Sequence, residues 1–385
     1  MSGGTRFEAD VSLPHDWRQA RLLGRVDFGD GPRPVLVEAG ELWDMARVAP
    51  TTSLLLERAG FRASEGRNMG PVEALGLHAG ADAPFPRLLS PIDFQCVKAA
   101  GVTFAVSAVE RVIEERARGD ADAAQALRGR LDERVGGSIR SVVPGSPEAA
   151  ALKAALIEEA LWSQYLEVAI GPDAEVFTKA PVLATVGWGD AVGIRSDSTW
   201  NNPEPEVVLL VDAQGQAVGA TLGNDINLRD FEGRSALLLG KAKDNNASCS
   251  LGPFVRLFDH SFTIDDVRAA EVSLRIDGED GYVLHGASSM REISRDPLEL
   301  VRQTLSEHQY PDGFVLFLGT LFAPVEDRDE PGRGFTHKPG DTVRIASERL
   351  GELTNRVYTS RDAPPWTQGI GATLRSLARR GLLEA

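Results

Sequence analysis

The central stretch of this chain reads Asn201-Asn202-Pro203-Glu204-Pro205-Glu206-Val207-Val208-Leu209-Leu210-Val211. Its second half is apolar and β-branched, which predicts a strand. Side chains alternate between the two faces of a strand, so Glu204 and Glu206 should share one face where this strand begins. Two carboxylates on one face repel each other unless a cation lies between them. The pair therefore indicates a metal site, and solvated acids at a strand end are the alternative interpretation.

A third acidic residue follows a second apolar run. Asp225 stands at the end of Gly223-Asn224-Asp225, directly after Val218-Gly219-Ala220-Thr221-Leu222. Three hard oxygen donors suit Mg²⁺, Mn²⁺ or Ca²⁺ better than zinc. The six histidines include no pair at the spacing of zinc ligands. The sequence thus predicts a magnesium-type site, with Mn²⁺ or Ca²⁺ as alternatives, formed by Glu204, Glu206 and Asp225.

Further motifs follow these three residues in a fixed order. Lys243 lies eighteen residues beyond Asp225, and Gly252-Pro253, Leu318-Gly319-Thr320 and Pro339-Gly340-Asp341 come after it. In this order the motifs resemble the fumarylacetoacetate hydrolase superfamily over residues 90–360. Two segments, 195–200 and 242–250, resemble the branch that dehydrates 2-keto-3-deoxy sugar acids. The resemblance implies an α+β, β-rich fold: a mixed β-sheet roll with a small N-terminal domain and a helical insertion.

Composition narrows the classes of partner. The 385 residues are 42% hydrophobic, and 41 basic against 56 acidic residues give a net charge of −15. This charge argues against nucleic acid or an anionic membrane as a partner. No apolar run reaches the roughly 20 residues that cross a bilayer, and residues 1–8 lack the pattern of a secretory signal. Two distant cysteines suit a reducing compartment, so a cytoplasmic protein is expected.

The chain divides into segments of different character. Residues 1–90 are predicted to form a small α+β domain, with strands 21–28 and 34–38 forming a hairpin around Gly29-Asp30-Gly31-Pro32. Residues 91–365 form the expected catalytic domain. Within it, 105–170 shows helical spacing, with a helix start at Ser146-Pro147-Glu148; a coiled coil is the alternative, but the segment is short and broken. Residues 366–385 are predicted to form a C-terminal helix.

The predicted metal site suggests a chemistry. A dication held by three carboxylates keeps open positions for a 2-oxo acid and acts as a Lewis acid on its keto group. Loss of a C3 proton and of a C4 hydroxyl then gives dehydration. Attack of water on a ketone next to the same carbon instead gives C–C hydrolysis. The residues that move protons decide between the two reactions.

Candidates for proton transfer are Lys243, Glu175 and Glu110. The hydrolases of the superfamily carry a histidine and a glutamate, in the pattern Gly-x-Asn-Tyr-x-x-His, that activate water. The corresponding segment here begins at Gly101; it keeps the glutamate as Glu110 but has Ser107 in place of the histidine. This difference favours a dehydratase. For each candidate, a role as an ordinary exposed charged residue is the alternative.

Substrate contacts are predicted at four positions. Lys179 is an even number of residues from Glu175 and so shares its strand face; it would bind a substrate carboxylate, pair with the metal carboxylates or pair with Glu175. Ser198 and Thr199 precede the acidic residues and would bind substrate hydroxyls. By resemblance, Thr320 touches the substrate carboxylate, and Arg229-Asp230 buttresses the metal site.

Together these features predict a metal-dependent dehydratase. The resemblance implies conversion of a 2-keto-3-deoxy pentonate, derived from D-xylonate or D-arabinonate, to 2,5-dioxopentanoate in oxidative pentose degradation. A C–C hydrolase or decarboxylase acting on an acylpyruvate is one alternative, and a binding protein without activity is another. The resemblance also implies a homodimer or a homotetramer.

Overall fold

The computed structural model describes residues 4–104, 108, 112, 142–158, 160, 162–324, 326–329 and 334–383. The strands in this part of the chain form a sheet of thirteen strands, a sheet of five strands and one pair of short strands. Antiparallel neighbours dominate, but parallel pairs also occur in both larger sheets. The predicted α+β, β-rich architecture with a mixed sheet is confirmed.

Twenty strands and nine α-helices are described. The strands are β1 (Thr5–Arg6), β2 (Leu22–Asp27), β3 (Pro32–Glu38), β4 (Glu41–Asp44), β5 (Arg67–Pro71), β6 (His78–Ala79), β7 (Arg87–Leu89), β8 (Cys96–Gly101), β9 (Glu175–Ala180), β10 (Ala191–Ile194), β11 (Asn201–Asn202), β12 (Pro205–Val211), β13 (Ala217–Asp225), β14 (Asn227–Leu228), β15 (Cys249–Leu257), β16 (Glu271–Asp277), β17 (Val283–Ser289), β18 (Phe314–Phe317), β19 (Thr342–Ser347) and β20 (Gly351–Thr359). The helices are α1 (Ala9–Ser12), α2 (Thr52–Glu57), α3 (Pro147–Glu158), α4 (Gln164–Ile170), α5 (Arg229–Glu232), α6 (Leu239–Lys243), α7 (Ile264–Arg268), α8 (Pro297–Leu305) and α9 (Ile370–Arg379).

Strand β12 lies in the interior of the larger sheet, between β13 and β18. All seven of its residues are buried. Val207 and Leu209 pack in one apolar cluster, whereas Val208 and Leu210 pack in another. A strand that is covered on both faces needs apolar side chains at every position. This explains the uninterrupted apolar run after Glu206 and confirms the predicted strand.

The first strands join the same sheet as β12. The predicted N-terminal hairpin is confirmed, because β2 and β3 are antiparallel, with Leu22 opposite Val37. Strand β2 also pairs with β15 at Leu22 and Leu23. The N-terminal strands are therefore continuous with the sheet that carries the acidic residues. A domain boundary near residue 90 stays a prediction, and the sheet runs across it.

The helices agree with the predicted cap and C-terminal segment. Ser146 Oγ accepts a hydrogen bond from the main-chain N–H of Ala149 (3.1 Å), and Pro147 occupies the first position of α3. Helices α3 and α4 lie inside the predicted insertion 105–170, of which most of 105–141 lies outside the described residues. Helix α9 lies inside the predicted segment 366–385. None of the described helices is long and apolar enough to cross a membrane.

The smaller sheet completes the frame of the site. Its strand order is β10-β20-β19-β16-β17, which leaves β17 at an edge. Residues 284–287 of β17 line a cavity whose other wall is formed by β8, β9, β12 and β13 of the larger sheet. The predicted metal ligands therefore lie between the two sheets.

Candidate active site

The cavity between the sheets has a volume of about 330 Å³. Its floor is formed by the three buried acidic residues and Lys243, and its outer wall includes exposed positions of β17 and of the segment after β18. The lining residues are Ala100, Gly101, Val102, Glu175, Phe177, Glu204, Glu206, Asp225, Arg229, Glu232, Lys243, Leu284, His285, Gly286, Ala287, Thr320, Phe322, Ala323, Pro324 and Glu326.

Pairing of β12 with β13 brings the three acidic residues together. Glu206 lies opposite Gly223, and the main-chain N–H of Asp225 donates to the main-chain oxygen of Glu204 (3.0 Å). Each residue offers a carboxylate oxygen, and these atoms all lie within 4.8 Å of one another. The three residues are at most 2% exposed. The antiparallel pairing of β12 and β13 thus brings Glu206 close to Asp225, which lies nineteen positions later in the sequence.

Glu206 receives only neutral hydrogen-bond donors in the described part of the chain. The main-chain N–H of Gly319 donates to its Oε2 (2.7 Å), and Thr320 Oγ1 donates to its Oε1 (3.3 Å). Gly319 has a φ of +104°, a conformation that favours glycine. Burial and repulsion from Asp225 and Glu204 raise the pKa of Glu206 well above its ordinary value. Without a bound cation, the site therefore favours the protonated form of this side chain.

Lys243 lies at the last position of α6 and points into the acidic group. Its ammonium donates to Glu204 Oε2 and to Asp225 Oδ2, the latter at 3.2 Å. Its side chain is only 4% exposed, and it lines the cavity. The sequence prediction of a basic group beside the metal ligands agrees with this position. Its role in proton transfer stays a prediction.

Lys179 is placed differently from its predicted role in substrate binding. It is fully buried and is absent from the cavity wall formed by the described residues. Its ammonium lies 2.7 Å from Asp225 Oδ1 and donates to the main-chain oxygens of Ile226 (3.2 Å) and Lys243. The ion pair with Asp225 and the two hydrogen bonds to carbonyl oxygens keep this ammonium inside the protein. Of the alternatives that the sequence leaves open for Lys179, this position favours pairing with a predicted metal ligand over binding of the substrate carboxylate.

The acidic group fits a divalent cation. Oxygens that bind one hard cation at about 2.0–2.6 Å cannot lie more than about 5 Å apart, and the observed limit of 4.8 Å meets this condition. Three buried carboxylates face the ammoniums of Lys179 and Lys243, which leaves one negative charge. Buried charge that is not paired is costly. A dication bound by Glu204, Glu206 and Asp225 would stabilise the ionised form of all three and change the net charge of this group from −1 to +1.

Ser198 and Thr199 do not line the cavity, in contrast to the prediction. Ser198 Oγ donates to Asp230 Oδ1 (2.9 Å), and the main-chain N–H of Thr199 donates to Asp230 Oδ2 (2.8 Å). Thr199 is exposed. The two residues form a turn that is held by the carboxylate of Asp230, so their predicted contact with substrate is corrected to a structural role. Asp230 lies about thirty positions further along the sequence, so spacing along the chain does not indicate this contact.

Two further predicted residues, Glu175 and Thr320, line the cavity. Glu175, at the start of β9, lies so close to Gly101 that a Cβ at that position would come within 2.0 Å of Glu175 Oε2. Thr320 lines the cavity beside Glu206. The remaining candidate, Glu110, and the neighbouring Ser107 lie outside the described residues. Of the two carboxylates that are predicted to transfer protons, Glu175 is therefore the one whose position the structure describes.

Glu232 was missed by the sequence interpretation. It lies at the end of α5, is 8% exposed and lines the cavity. Asn227 Nδ2 donates to its Oε2 (2.6 Å). Arg229, predicted to buttress the metal site, also lines the cavity and lies 5.5 Å from the ring of Trp200. Because Glu232 follows Asp225 by seven residues on a very short helix, no periodicity in the sequence marks it.

A buried ionic cluster supports the segment that follows the cavity wall. Arg328 pairs with both oxygens of Asp341 (2.6 and 2.8 Å), and His337 Nδ1 lies 3.0 Å from Asp341 Oδ2. Burial alone would raise the pKa of Asp341, but hydrogen bonds from Arg328 and His337 outweigh it and lower the pKa to about 2. The main-chain N–H of His337 donates to Asn201 Oδ1 (3.2 Å). The Pro-Gly-Asp motif thus stabilises the chain just before the metal ligands.

Two curated relatives share about half of this chain. A Haloferax volcanii protein named "Probable 2-keto-3-deoxyxylonate dehydratase" is 34% identical over 202 residues, which are 52% of this chain and 66% of that protein. The 2-dehydro-3-deoxy-D-arabinonate dehydratase of Saccharolobus solfataricus is 30% identical over 187 residues, 49% of this chain and 59% of that protein. The chain therefore spans less than two thirds of the length of either relative.

Solved structures show the same fold. A 2-keto-3-deoxy-D-arabinonate dehydratase complexed with magnesium and 2,5-dioxopentanoate superposes with a TM-score of 0.59 at 20% identity, covering 88% of this chain and 99% of that one. The fumarylacetoacetate hydrolase of Exiguobacterium antarcticum superposes with a TM-score of 0.56 at 15% identity and with the same coverage. At these identities the likeness establishes the fold.

The family itself is shown by the sequence. Residues 164–358, just over half of the chain, match the family described as fumarylacetoacetate (FAA) hydrolase, C-terminal. The match contains the three acidic residues, Lys179, Lys243 and the Gly-Thr and Pro-Gly-Asp turns. The chain belongs to the fumarylacetoacetate hydrolase family.

Proposed function

We propose that this protein is a Mg²⁺-dependent dehydratase that converts a 2-keto-3-deoxy pentonate to 2,5-dioxopentanoate. The observation that carries the proposal is the buried group of Glu204, Glu206 and Asp225 at the floor of a cavity that also exposes Lys243. The names of the two curated relatives support the substrate class. A structural neighbour that holds magnesium and 2,5-dioxopentanoate supports the ion and the product.

The reaction removes water across C3 and C4 of the substrate. A proton leaves C3, and the hydroxyl leaves C4 with a second proton as water. A proton then leaves C5 and one returns to C3, which gives an enol between C4 and C5. Loss of the proton from the enol hydroxyl and protonation of C4 give the C5 aldehyde. When bound, the divalent cation polarises the C2 keto group and so makes the C3 proton more acidic.

The residues of the chain have distinct roles in this proposal. Glu175, which lines the cavity and remains partly exposed, takes the proton from C3. Lys243 holds the keto acid end and protonates the leaving hydroxyl, and Thr320 orients the substrate carboxylate. Arg229 supplies positive charge that an anionic substrate needs in a protein with a net charge of −15. Glu232 is a second carboxylate within the same cavity for the later proton transfers.

The test is a direct assay on 2-keto-3-deoxy-D-xylonate and its L-enantiomer. We expect 2,5-dioxopentanoate, detected by mass spectrometry and as an aldehyde adduct, with activity that EDTA abolishes and Mg²⁺ restores. The variant Glu206→Gln should lose activity by at least about 10³-fold. The exposed Glu271→Gln on β16 is the matched control and should keep full activity.

The rival activity is tested in parallel. An acylpyruvate substrate cleaved by a C–C hydrolase yields pyruvate, which lactate dehydrogenase detects. Oxaloacetate tests decarboxylation in the same way, because it also yields pyruvate. Pyruvate release at a higher kcat/KM than formation of 2,5-dioxopentanoate would contradict the proposed dehydratase. Absence of Mg²⁺ dependence in the dehydratase assay would contradict the proposed metal centre.

A further inference from the structure

Lys179 is a fully buried lysine that the proposed reaction does not use. We propose that it is a positioning residue of the dication site, with two effects: it withholds one oxygen of Asp225 from the ion, and it fixes the main chain that presents Lys243. The inference rests on the proposed function only in taking the acidic residues as ligands of a divalent cation.

Lys179 and Lys243 differ in their burial and in the groups that they contact. The side chain of Lys179 is 0% exposed, and its ammonium contacts Asp225 Oδ1, Ile226 O and Lys243 O. Lys243, by contrast, lines the cavity. A fully buried ammonium that lies outside the cavity wall formed by the described residues does not reach the substrate. Any effect of Lys179 on the reaction must therefore be transmitted by the residues that it contacts, Asp225 and Lys243.

The first effect concerns the two oxygens of Asp225. Oδ1 lies 2.7 Å from Lys179, and Oδ2 lies 3.2 Å from Lys243 at the cavity floor. Because Lys179 has no room to move toward solvent, Oδ1 stays paired. Oδ2 is then the oxygen that Asp225 offers to an ion. A carboxylate limited to one oxygen leaves more coordination positions for a bidentate 2-oxo acid.

The second effect concerns the end of helix α6. The last carbonyl groups of a helix lack partners within the helix, and Lys243 is the last residue of α6. Its main-chain oxygen accepts hydrogen bonds from Lys179 Nζ and from Ser248 Oγ, the latter at 2.8 Å. These two donors fix the backbone from which the Lys243 side chain reaches Glu204. Loss of Lys179 would let this side chain shift, and small shifts of a reacting group are costly in rate.

The charge of Lys179 also opposes binding of the ion. A unit positive charge beside a metal ligand repels a dication, and this repulsion is strongest at short distance inside a protein. Removal of the charge should therefore tighten ion binding while the reaction slows. A residue that only stabilised the fold would weaken both properties together. Opposite changes in ion affinity and in kcat are the signature of the proposed role.

The experiment compares Lys179→Met and Lys179→Gln with Lys98→Met. Lys98 lies on the neighbouring strand β8 and donates to Thr178 Oγ1 (3.0 Å), so it controls for loss of a lysine in this sheet. Calorimetric titration of the EDTA-treated protein with Mn²⁺ and with Mg²⁺ gives the Kd. Steady-state assays on the 2-keto-3-deoxy pentonate give kcat and KM, and circular dichroism reports the fold. The side chain of the Lys179→Gln variant can still donate a hydrogen bond to a main-chain carbonyl oxygen. This variant can therefore be measured if the Lys179→Met variant does not fold.

We expect the folded Lys179 variants to bind Mn²⁺ at least about fivefold more tightly and to lose about 10²-fold in kcat with little change in KM. The Lys98 variant should match the unaltered protein in all three constants. Weaker ion binding by both Lys179 variants, or a kcat within threefold of the unaltered protein, would overturn the proposal. Failure of the unaltered protein to bind either ion would instead contradict the proposed metal centre.

Discussion

At the scale of single residues, the three carboxylates of the site differ in how their charge is balanced. Glu204 and Asp225 each contact an ammonium, whereas Glu206 contacts the N–H of Gly319 and the hydroxyl of Thr320 in the described part of the chain. Burial and its two acidic neighbours raise the pKa of Glu206. Glu206 is therefore the residue at which the metal-free site is least stable, and the residue whose ionisation depends most on a bound cation.

This asymmetry predicts an unusual response to Glu206→Gln. In EDTA the variant should be more stable than the unaltered protein by about 1–2 kcal/mol, because an amide keeps the hydrogen bond from Gly319 and removes the repulsion. Addition of Mg²⁺ should raise the Tm of the unaltered protein but not that of the variant. Urea unfolding in EDTA measures the difference in stability, and thermal unfolding with and without Mg²⁺ measures the change in Tm. Lower stability of the variant in EDTA would contradict the charge argument.

A second prediction concerns the turn before the acidic residues. Since Ser198 and Thr199 bind Asp230 rather than line the cavity, Ser198→Ala and Thr199→Ala should leave the KM for substrate within about twofold. Asp230→Ala should lower the free energy of unfolding by about 1–3 kcal/mol, because it leaves two donors without their acceptor. Steady-state kinetics and urea unfolding check the three variants. A tenfold rise in KM for Ser198→Ala would restore its predicted role in substrate binding.

The sequence was sufficient to predict the acidic residues but not their partners. Glu204 directly precedes β12, Glu206 is the second residue of β12, and Asp225 ends β13, so the antiparallel register brings all three together. Lys179, Asp230 and Glu232 owe their positions to contacts between distant segments. Their partners lie where the fold places them, and spacing along the chain does not indicate them.

At the scale of elements, the cavity wall depends on close packing between β17 and the segment after β18. A Cβ added at Gly286 would lie 2.3 Å from Phe322 Cε2. Both residues line the cavity. The atom in the way belongs to the far end of a side chain, which can move without disturbing the backbone. The ring would then have to change its place in the cavity wall.

Gly286→Ala should therefore affect substrate binding more than folding. We expect a rise in KM of about three- to tenfold, with a Tm within a few degrees of the unaltered protein, because the displaced ring narrows or reshapes the cavity. The double variant Gly286→Ala/Phe322→Leu should recover most of the KM. Steady-state kinetics on the 2-keto-3-deoxy pentonate test both variants. An unchanged KM in the single variant would show that the ring moves away from the substrate.

Secondary-structure elements that are marked by turn or capping residues could be predicted from the sequence. The pairing of strands that are distant in the sequence could not. The hairpin of β2 and β3 and the start of α3 follow from turn and capping residues, and both are confirmed. The pairing of β2 with β15 joins residues more than two hundred positions apart. No local pattern specifies that pairing. The continuity of the larger sheet from β2 to β15 therefore could not be predicted from the sequence, and the domain boundary near residue 90 stays a prediction.

At the scale of the whole molecule, Asp190 links the N-terminal strands to the loop before β10. Its carboxylate accepts hydrogen bonds from the main-chain N–H groups of Gly187 (2.7 Å) and Gly80 (3.1 Å). Its main-chain oxygen accepts from Asn355 Nδ2 on β20 (3.1 Å). One residue, through its side chain and its main-chain oxygen, thus connects the N-terminal strands, the loop and the smaller sheet. Burial raises the pKa of Asp190 to about 6, because it outweighs the two hydrogen bonds and the charge of Arg87.

The raised pKa of Asp190 predicts how stability changes with pH. Between its ordinary value of 3.8 and about 6, the folded protein holds a proton that the unfolded chain has released. The slope of the unfolding free energy with pH is then negative. This contribution is complete below pH 3.8, is lost as the pH rises through that window and stays lost above about 6.

The variant Asp190→Asn removes this proton and therefore this slope. Its stability relative to the unaltered protein should rise by on the order of 2 kcal/mol between pH 4 and pH 6.5 and then stay constant. Urea unfolding of both proteins at half-unit pH intervals, with EDTA present so that ion binding does not contribute, measures the difference. A difference that is flat over this range, or that falls with rising pH, would contradict the charge balance inferred for the link between the N-terminal strands and the rest of the molecule.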